Sequence, residues 1–121
     1  MSIGVFETIS SCVESRSVER CCSKRLVYIS VFLAHLIDAG KKGVWLTTRE
    51  LCARVGLDRR SCNPARRYLY ELKEMGVVES KRSLRNEALW RIRFEALGGL
   101  DPDKAIKTLV DHYKLCMGVF K

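Results

Sequence analysis

The 121-residue sequence contains no apolar run long enough to cross a bilayer. Its longest, Leu26 to Ile37, is broken by Tyr28, Ser30 and His35 and falls short of the roughly 20 residues that a span requires. There is no phosphate-binding glycine loop, no G-x-G-x-x-G and no H-E-x-x-H. The two histidines, His35 and His112, fall in apolar helical patterns rather than in a constellation of carboxylate and nucleophile. The expectation is a protein that is not an enzyme and carries no cofactor. The first seven residues lack the basic start and small-residue cleavage site of a signal peptide, so the chain is expected to stay inside the cell that makes it. Only two prolines occur, Pro64 and Pro102, and each reads as the first turn of a helix. No internal repeat or low-complexity tract is present.

What is present is a core-forming composition. A hydrophobic fraction of 47% with mean hydropathy of −0.08 offsets the entropy of ordering and describes one folded domain over residues 1–121. The net charge is +8, and it is unevenly spread: +2 over residues 1–43, +6 over 44–94 and zero over 95–121. Positive charge concentrated on one segment is the electrostatic footprint of a nucleic-acid surface, because neutralising phosphates releases condensed counterions. The competing reading is a merely well-solvated surface.

Cysteine is abundant, at positions 12, 21, 22, 52, 62 and 116. No C-x-x-C pair occurs, which gives a zinc knuckle or ribbon little support; a cluster of Cys12, Cys21, Cys22 and His35 is the one metal arrangement left open, and no metal is expected. Buried free thiols are the default, since cysteine packs as a small apolar residue. Disulfides, for example Cys52 with Cys62, are the alternative, and inside cells they belong mainly to hyperthermophiles.

The periodicity predicts a short helix over residues 3 to about 15, through Ile3, Phe6, Ile9 and Val13. Ser17 offers a cap for a longer helix running to about Ala39, apolar on two sides and therefore touching more than one partner. Val44-Trp45-Leu46 reads as a short strand. Thr47 with Glu50 forms a capping box for a helix that Gly56 ends. Pro64 places the next N-cap at Ser61 or Asn63, after an extended turn, and the helix runs from about 61 to 75 before Gly76. Two strand-like runs follow, Val77-Val78-Glu79 and Leu89 to Phe94, around a basic turn over 80–87; Trp90, Ile92 and Phe94 share the apolar face and Arg91 and Arg93 the other. Asp101 and Pro102 start a last helix to about 120, with a stripe from Ala105 through Tyr113 and Met117 to Phe120 that needs a partner, in its own chain or in a second copy.

Residues 46–94 resemble the winged helix-turn-helix superfamily, especially small regulators of archaea and their viruses. The resemblance rests on Leu46-Thr47-x-x-Glu50-Leu51-x-x-x-x-Gly56-Leu57, on Arg66-Arg67-Tyr68-Leu69-x-x-Leu72-x-x-Met75-Gly76-Val77-Val78, and on the hairpin that follows. It implies a mainly α (α+β) fold, with the winged-helix core over about 19–94 and the C-terminal helix 101–120 as a packing or dimerisation element. It further implies a sequence-specific regulator of transcription, a homodimer on double-stranded DNA, with the helix near 61–75 as its recognition helix. Asn63, Arg66, Arg67 and Tyr70 would face the bases, since Arg pairs bidentately with guanine and Asn with adenine. Thr48, Arg49, Arg59, Arg60, Lys81, Arg82 and Arg85 would hold phosphates. Two other functions stay open: a winged helix used for protein contact in a transcription, replication or remodelling assembly, and a nonspecific DNA-binding protein.

Overall fold

The computed structural model describes residues 4–118. Its elements are α1 (Val5–Ser15), α2 (Val18–Cys21), α3 (Lys24–Lys41), β1 (Leu46–Thr47), α4 (Thr48–Arg54), α5 (Arg59–Glu74), β2 (Val78–Arg82), β3 (Ala88–Ile92), a 3-10 turn (Phe94–Leu97) and α6 (Pro102–Met117). The strands form one antiparallel sheet in the order β1-β3-β2, with Leu46 opposite Trp90 and Val78 opposite Ile92. Ile3 and Phe120, expected in the apolar stripes of the first and last helices, lie outside the described residues.

α3 is the centre. One side of it meets α6, on which α1 packs; the other meets α4, α5 and β3. Ile29, Phe32, Leu33, Leu36 and Ile37 are each at most 1% exposed, because an apolar helix wrapped by neighbours on two sides has no free face for water. The expected single helix from Ser17 to Ala39 is in fact two. Cys22 departs from helical geometry, and Ser23, not Ser17, caps α3 by accepting a hydrogen bond from the Leu26 amide at 3.2 Å. Both serines satisfy the same local rule; the tertiary position of Cys22 decides between them.

The hairpin also departs from expectation. β2 starts one residue later and runs to Arg82, so Lys81 and Arg82 are strand residues and the turn shrinks to 83–87. β3 stops at Ile92, and Phe94 leaves the pleat in the 3-10 turn, where it is 38% exposed. Its ring still touches α3 at Gly40. A Cβ on Gly40 would lie 2.8 Å from Ile92 Cγ2 and 3.0 Å from Phe94 Cζ. Gly40→Ala is therefore expected to destabilise the protein. Overpacking a rigid β-branched neighbour costs about 1–3 kcal/mol, and the gain in helix propensity returns no more than about 1 kcal/mol. A melting temperature that rises in this variant would show that the close approach is absent.

Candidate nucleic-acid interface

The capping box at the start of α4 is complete. Thr47 Oγ1 accepts from the Glu50 amide at 3.0 Å, and Glu50 Oε1 accepts from the Thr47 amide at 2.9 Å. α4 ends at Gly56, φ +77°, with the Gly56 amide on the Ala53 carbonyl and the Leu57 amide on the Cys52 carbonyl. Gly76, also at φ +77°, closes α5 in the same way, on Lys73 and Leu72.

Between α4 and α5 only residues 55–58 intervene, fewer than Pro64 led one to expect. Asp58 is the N-cap, accepting from the Ser61 amide at 2.8 Å, so Arg59 and Arg60 form the first turn of the helix rather than the loop. Pro64 sits inside α5, where its ring removes one amide donor and leaves the Arg60 carbonyl without its helical partner. Tertiary constraints override the local preference: Cys52–Cys62 joins the two helices across the turn, and Ala65 is buried one residue beyond the proline.

The hydrogen bonds from Ser61 hold the Asp58 carboxyl below the usual carboxylate range. Because the folded value lies under the unfolded one of about 3.9, the stabilisation is complete above that pH and is lost as pH falls through the folded value. Asp58→Asn is expected to keep the cap and flatten this acid limb, whereas Asp58→Ala lowers stability across the whole range. Thermal melting from about pH 2 to pH 7 distinguishes them.

The sequence-derived site residues divide into three groups in space. Thr48, Arg49, Arg59, Asn63, Arg66 and Arg82 line one groove of about 460 Å³ between α4, α5 and the hairpin, which also contains Asp58 and Glu87. Arg49, Arg59, Asn63 and Arg66 are exposed, and among the described residues Arg66 makes no ion pair. Thr48 also ties α4 to the hairpin, because its Oγ1 accepts from Trp90 Nε1 at 2.8 Å.

Arg60 and Arg67 sit on the opposite flank, facing Lys24, Tyr28 and Tyr68. Arg67 donates to Tyr68 Oη at 3.2 Å, with its guanidinium 5.1 Å from that ring, and this hydrogen bond raises its pKa above the ordinary arginine value. Helical geometry explains the split: successive residues are about 100° apart, so Arg66 and Arg67 cannot share a face. Tyr70 is 39% exposed and meets Trp90 edge-on at 5.2 Å.

The hairpin divides by its pleat. Arg82 turns into the groove and bonds the Asn86 carbonyl at 3.1 Å, while Lys81 lies on the outer face, 4.3 Å above the Trp45 ring. Arg91 stands 4.4 Å from the same ring and pairs with Glu79. Arg85 is exposed in the turn, which Ser83 Oγ orders by accepting from the Arg85 amide at 3.2 Å and the Glu87 amide at 3.1 Å. Beside Arg85, Leu84 projects fully into solvent. Sequence reasoning missed Trp45 as a cation platform and Leu84 as an apolar tip. The approach of Trp45 to the cations of β2 and β3 is long-range, and a lone Leu in a basic turn carries no signal.

A helix-turn-helix followed by an antiparallel hairpin, with a third strand at its inner edge, defines a winged helix, here with added helices at both ends. No protein-family model and no curated protein matches the chain. Two solved structures are similar to it. One is a point mutant of ZitR from Lactococcus lactis, 15% identical, with a TM-score of 0.45, covering 74% of this chain and 56% of that one. The other is the PcaV transcriptional regulator from Streptomyces coelicolor in complex with its natural ligand, 20% identical, with a TM-score of 0.48, covering 84% of this chain and 65% of that one. The chain thus spans less than two thirds of either protein. Likeness at this level carries no inference about residues or activity, and the winged-helix assignment stands on the topology above.

Proposed function

We propose that the protein is a sequence-specific double-stranded DNA-binding regulator of transcription, with α5 as recognition helix and the β2–β3 hairpin as wing. The observation that carries this reading is the convergence of Arg49, Arg59, Asn63, Arg66 and Arg82, from three elements, on one groove. On this reading Arg59, Asn63 and Arg66 would read base edges, and Arg49 and Arg82 would hold phosphates. Arg60, Arg67, Lys81 and Arg85 belong to the flanks and add electrostatic attraction. A homodimer, formed through the outer faces of α3 and α6, would place two such grooves on half-sites about one helical turn apart. Six cysteines paired as disulfides fit an intracellular protein of a hyperthermophile, with which an archaeal or archaeal-viral source is compatible.

Selection from random duplexes at two salt concentrations tests the reading. Two phosphate-directed cations per protomer, Arg49 and Arg82, make four in the dimer and predict that log K falls with log salt at a slope of roughly −4. A flat response, or equal affinity for unrelated duplexes, removes the specific regulator.

One observation favours a second reading, the protein-contact module. A cavity of about 600 Å³ between α3 and α6 is lined largely by apolar side chains, among them Val31, Ala34, Val110 and Tyr113. Absence of any DNA shift at low salt, with a protein partner bound through Val31 and Val110, would establish it.

A further inference from the structure

The end of α6 meets the α2–α3 junction at a cluster that takes no part in the DNA groove. Cys22 and Cys116 form a disulfide, and His112 lies one helical turn before Cys116 on α6. The Sγ atoms of Cys22 and Cys116 and a ring nitrogen of His112 all lie within 4.8 Å of one another, and all three residues are buried. His112 Nε2 is 3.6 Å from Cys116 Sγ. Tetrahedral zinc, with a Zn–S bond of about 2.3 Å and a Zn–N bond of about 2.0–2.1 Å, sets that nitrogen–sulfur separation at about 3.6 Å.

The surroundings of the histidine complete the site. Nε2 is 2.6 Å from the Cys21 carbonyl oxygen, which can only accept, so Nε2 carries a hydrogen. Nδ1 is 2.6 Å from Ser30 Oγ, and Ser30 and His112 are both fully buried. Ser30 is therefore the outer partner that fixes the ring, the arrangement that metal-bound histidines use.

We infer that Cys22, Cys116 and His112 form a zinc site when the Cys22–Cys116 disulfide is reduced, so that the same two sulfurs hold either a covalent bond or a thiophilic divalent ion. A dithiol reductant supplies two electrons and two protons, becoming a disulfide itself while Cys22 and Cys116 become thiols. Zinc then displaces both thiol protons to solvent. The His112 proton passes from Nε2 to Nδ1, where it donates to Ser30 Oγ, and Nε2 binds the ion. The Cys21 carbonyl oxygen, 3.6 Å from Cys116 Sγ, supplies the fourth ligand once it draws back from His112 Nε2, from 2.6 Å to the roughly 3.4 Å that tetrahedral ligation sets. Two thiolates and a neutral imidazole balance the ion's charge, which a buried site demands.

The test uses the full chain, reduced with a non-coordinating phosphine and stripped of metal, then titrated with Co²⁺ and back-titrated with Zn²⁺. Expected is one tetrahedral cobalt with thiolate charge-transfer absorption, displaced by zinc, and none in the oxidised chain. X-ray absorption of the zinc form should show two sulfur and two nitrogen or oxygen ligands. Cys22→Ser and His112→Asn should each abolish the cobalt spectrum, and Ser30→Ala should weaken zinc roughly 10–100-fold. Replacing Cys12, Cys52 and Cys62 together by Ser should leave the spectrum unchanged. The inference is overturned if the reduced wild-type chain takes up no cobalt, if three or more sulfurs ligate, or if the His112→Asn chain binds as the wild type does. The wild-type measurements decide the matter even where a variant fails to fold.

Discussion

Arg59→Ala combined with Arg66→Ala is expected to weaken duplex DNA binding by at least about 30-fold while leaving the fold intact. Each arginine, if it reads a base edge, contributes about 1–3 kcal/mol, so the pair removes about 2–6 kcal/mol. Both are exposed on the groove side of α5, where surface replacements shift stability by no more than about 0.5 kcal/mol each. Arg67→Ala is the internal control. Its guanidinium rests on Tyr68 on the other flank, so the variant should retain most sequence preference and lose mainly general attraction. Fluorescence anisotropy with a selected duplex, beside thermal melting, checks both claims. Full-strength binding by the Arg59/Arg66 variant would dismiss α5 as the reading helix. Arg67, which sequence reasoning grouped with Arg66, is thereby assigned a different role.

Loss of the Cys22–Cys116 disulfide is expected to have the largest effect on stability. The bond closes a loop across 94 residues, and the chain-entropy relation gives about 4–5 kcal/mol for such a closure. Cys52–Cys62 spans 10 residues and should contribute about 2–3 kcal/mol by the same relation. Against a typical total of about 5–15 kcal/mol, the first loss brings the protein close to unfolding and the second does not. Urea denaturation of the Cys22→Ser/Cys116→Ser and Cys52→Ser/Cys62→Ser chains measures the two values. An equal or reversed order would mean that contacts of the half-buried Cys62 region, not loop closure, set the cost.

Local signals were legible in the sequence. The Thr47–Glu50 box, the glycine stops at 56 and 76, and the Asp101–Pro102 start of α6 each depend on residues within four positions, so spacing alone placed them. Pro64 misled because the first-turn preference of proline is weak beside the packing of Ala65, Tyr68 and Leu69, which carries the helix back to Arg59. Lys81 and Arg82 looked like one basic turn; the pleat sends them to opposite faces once β2 pairs with β3 as far as Arg82. The cysteines were the least legible. Free thiols were the default expectation, yet all six are paired, and the histidine beside them is His112, not His35. Nothing in sequence connects position 22 to 112 and 116, because that proximity is made only when α6 lies across α3.

The hydrogen bond from the Trp90 indole to Thr48 anchors the hairpin at its inner end, where Trp90 is also sealed from water. The outer residues, Ser83 to Glu87, bond only one another and Arg82 at the end of β2. Insertions, deletions and charge changes there are consequently invisible to the rest of the molecule, and this tip is where descendants of the chain can drift toward new targets without first losing their shape.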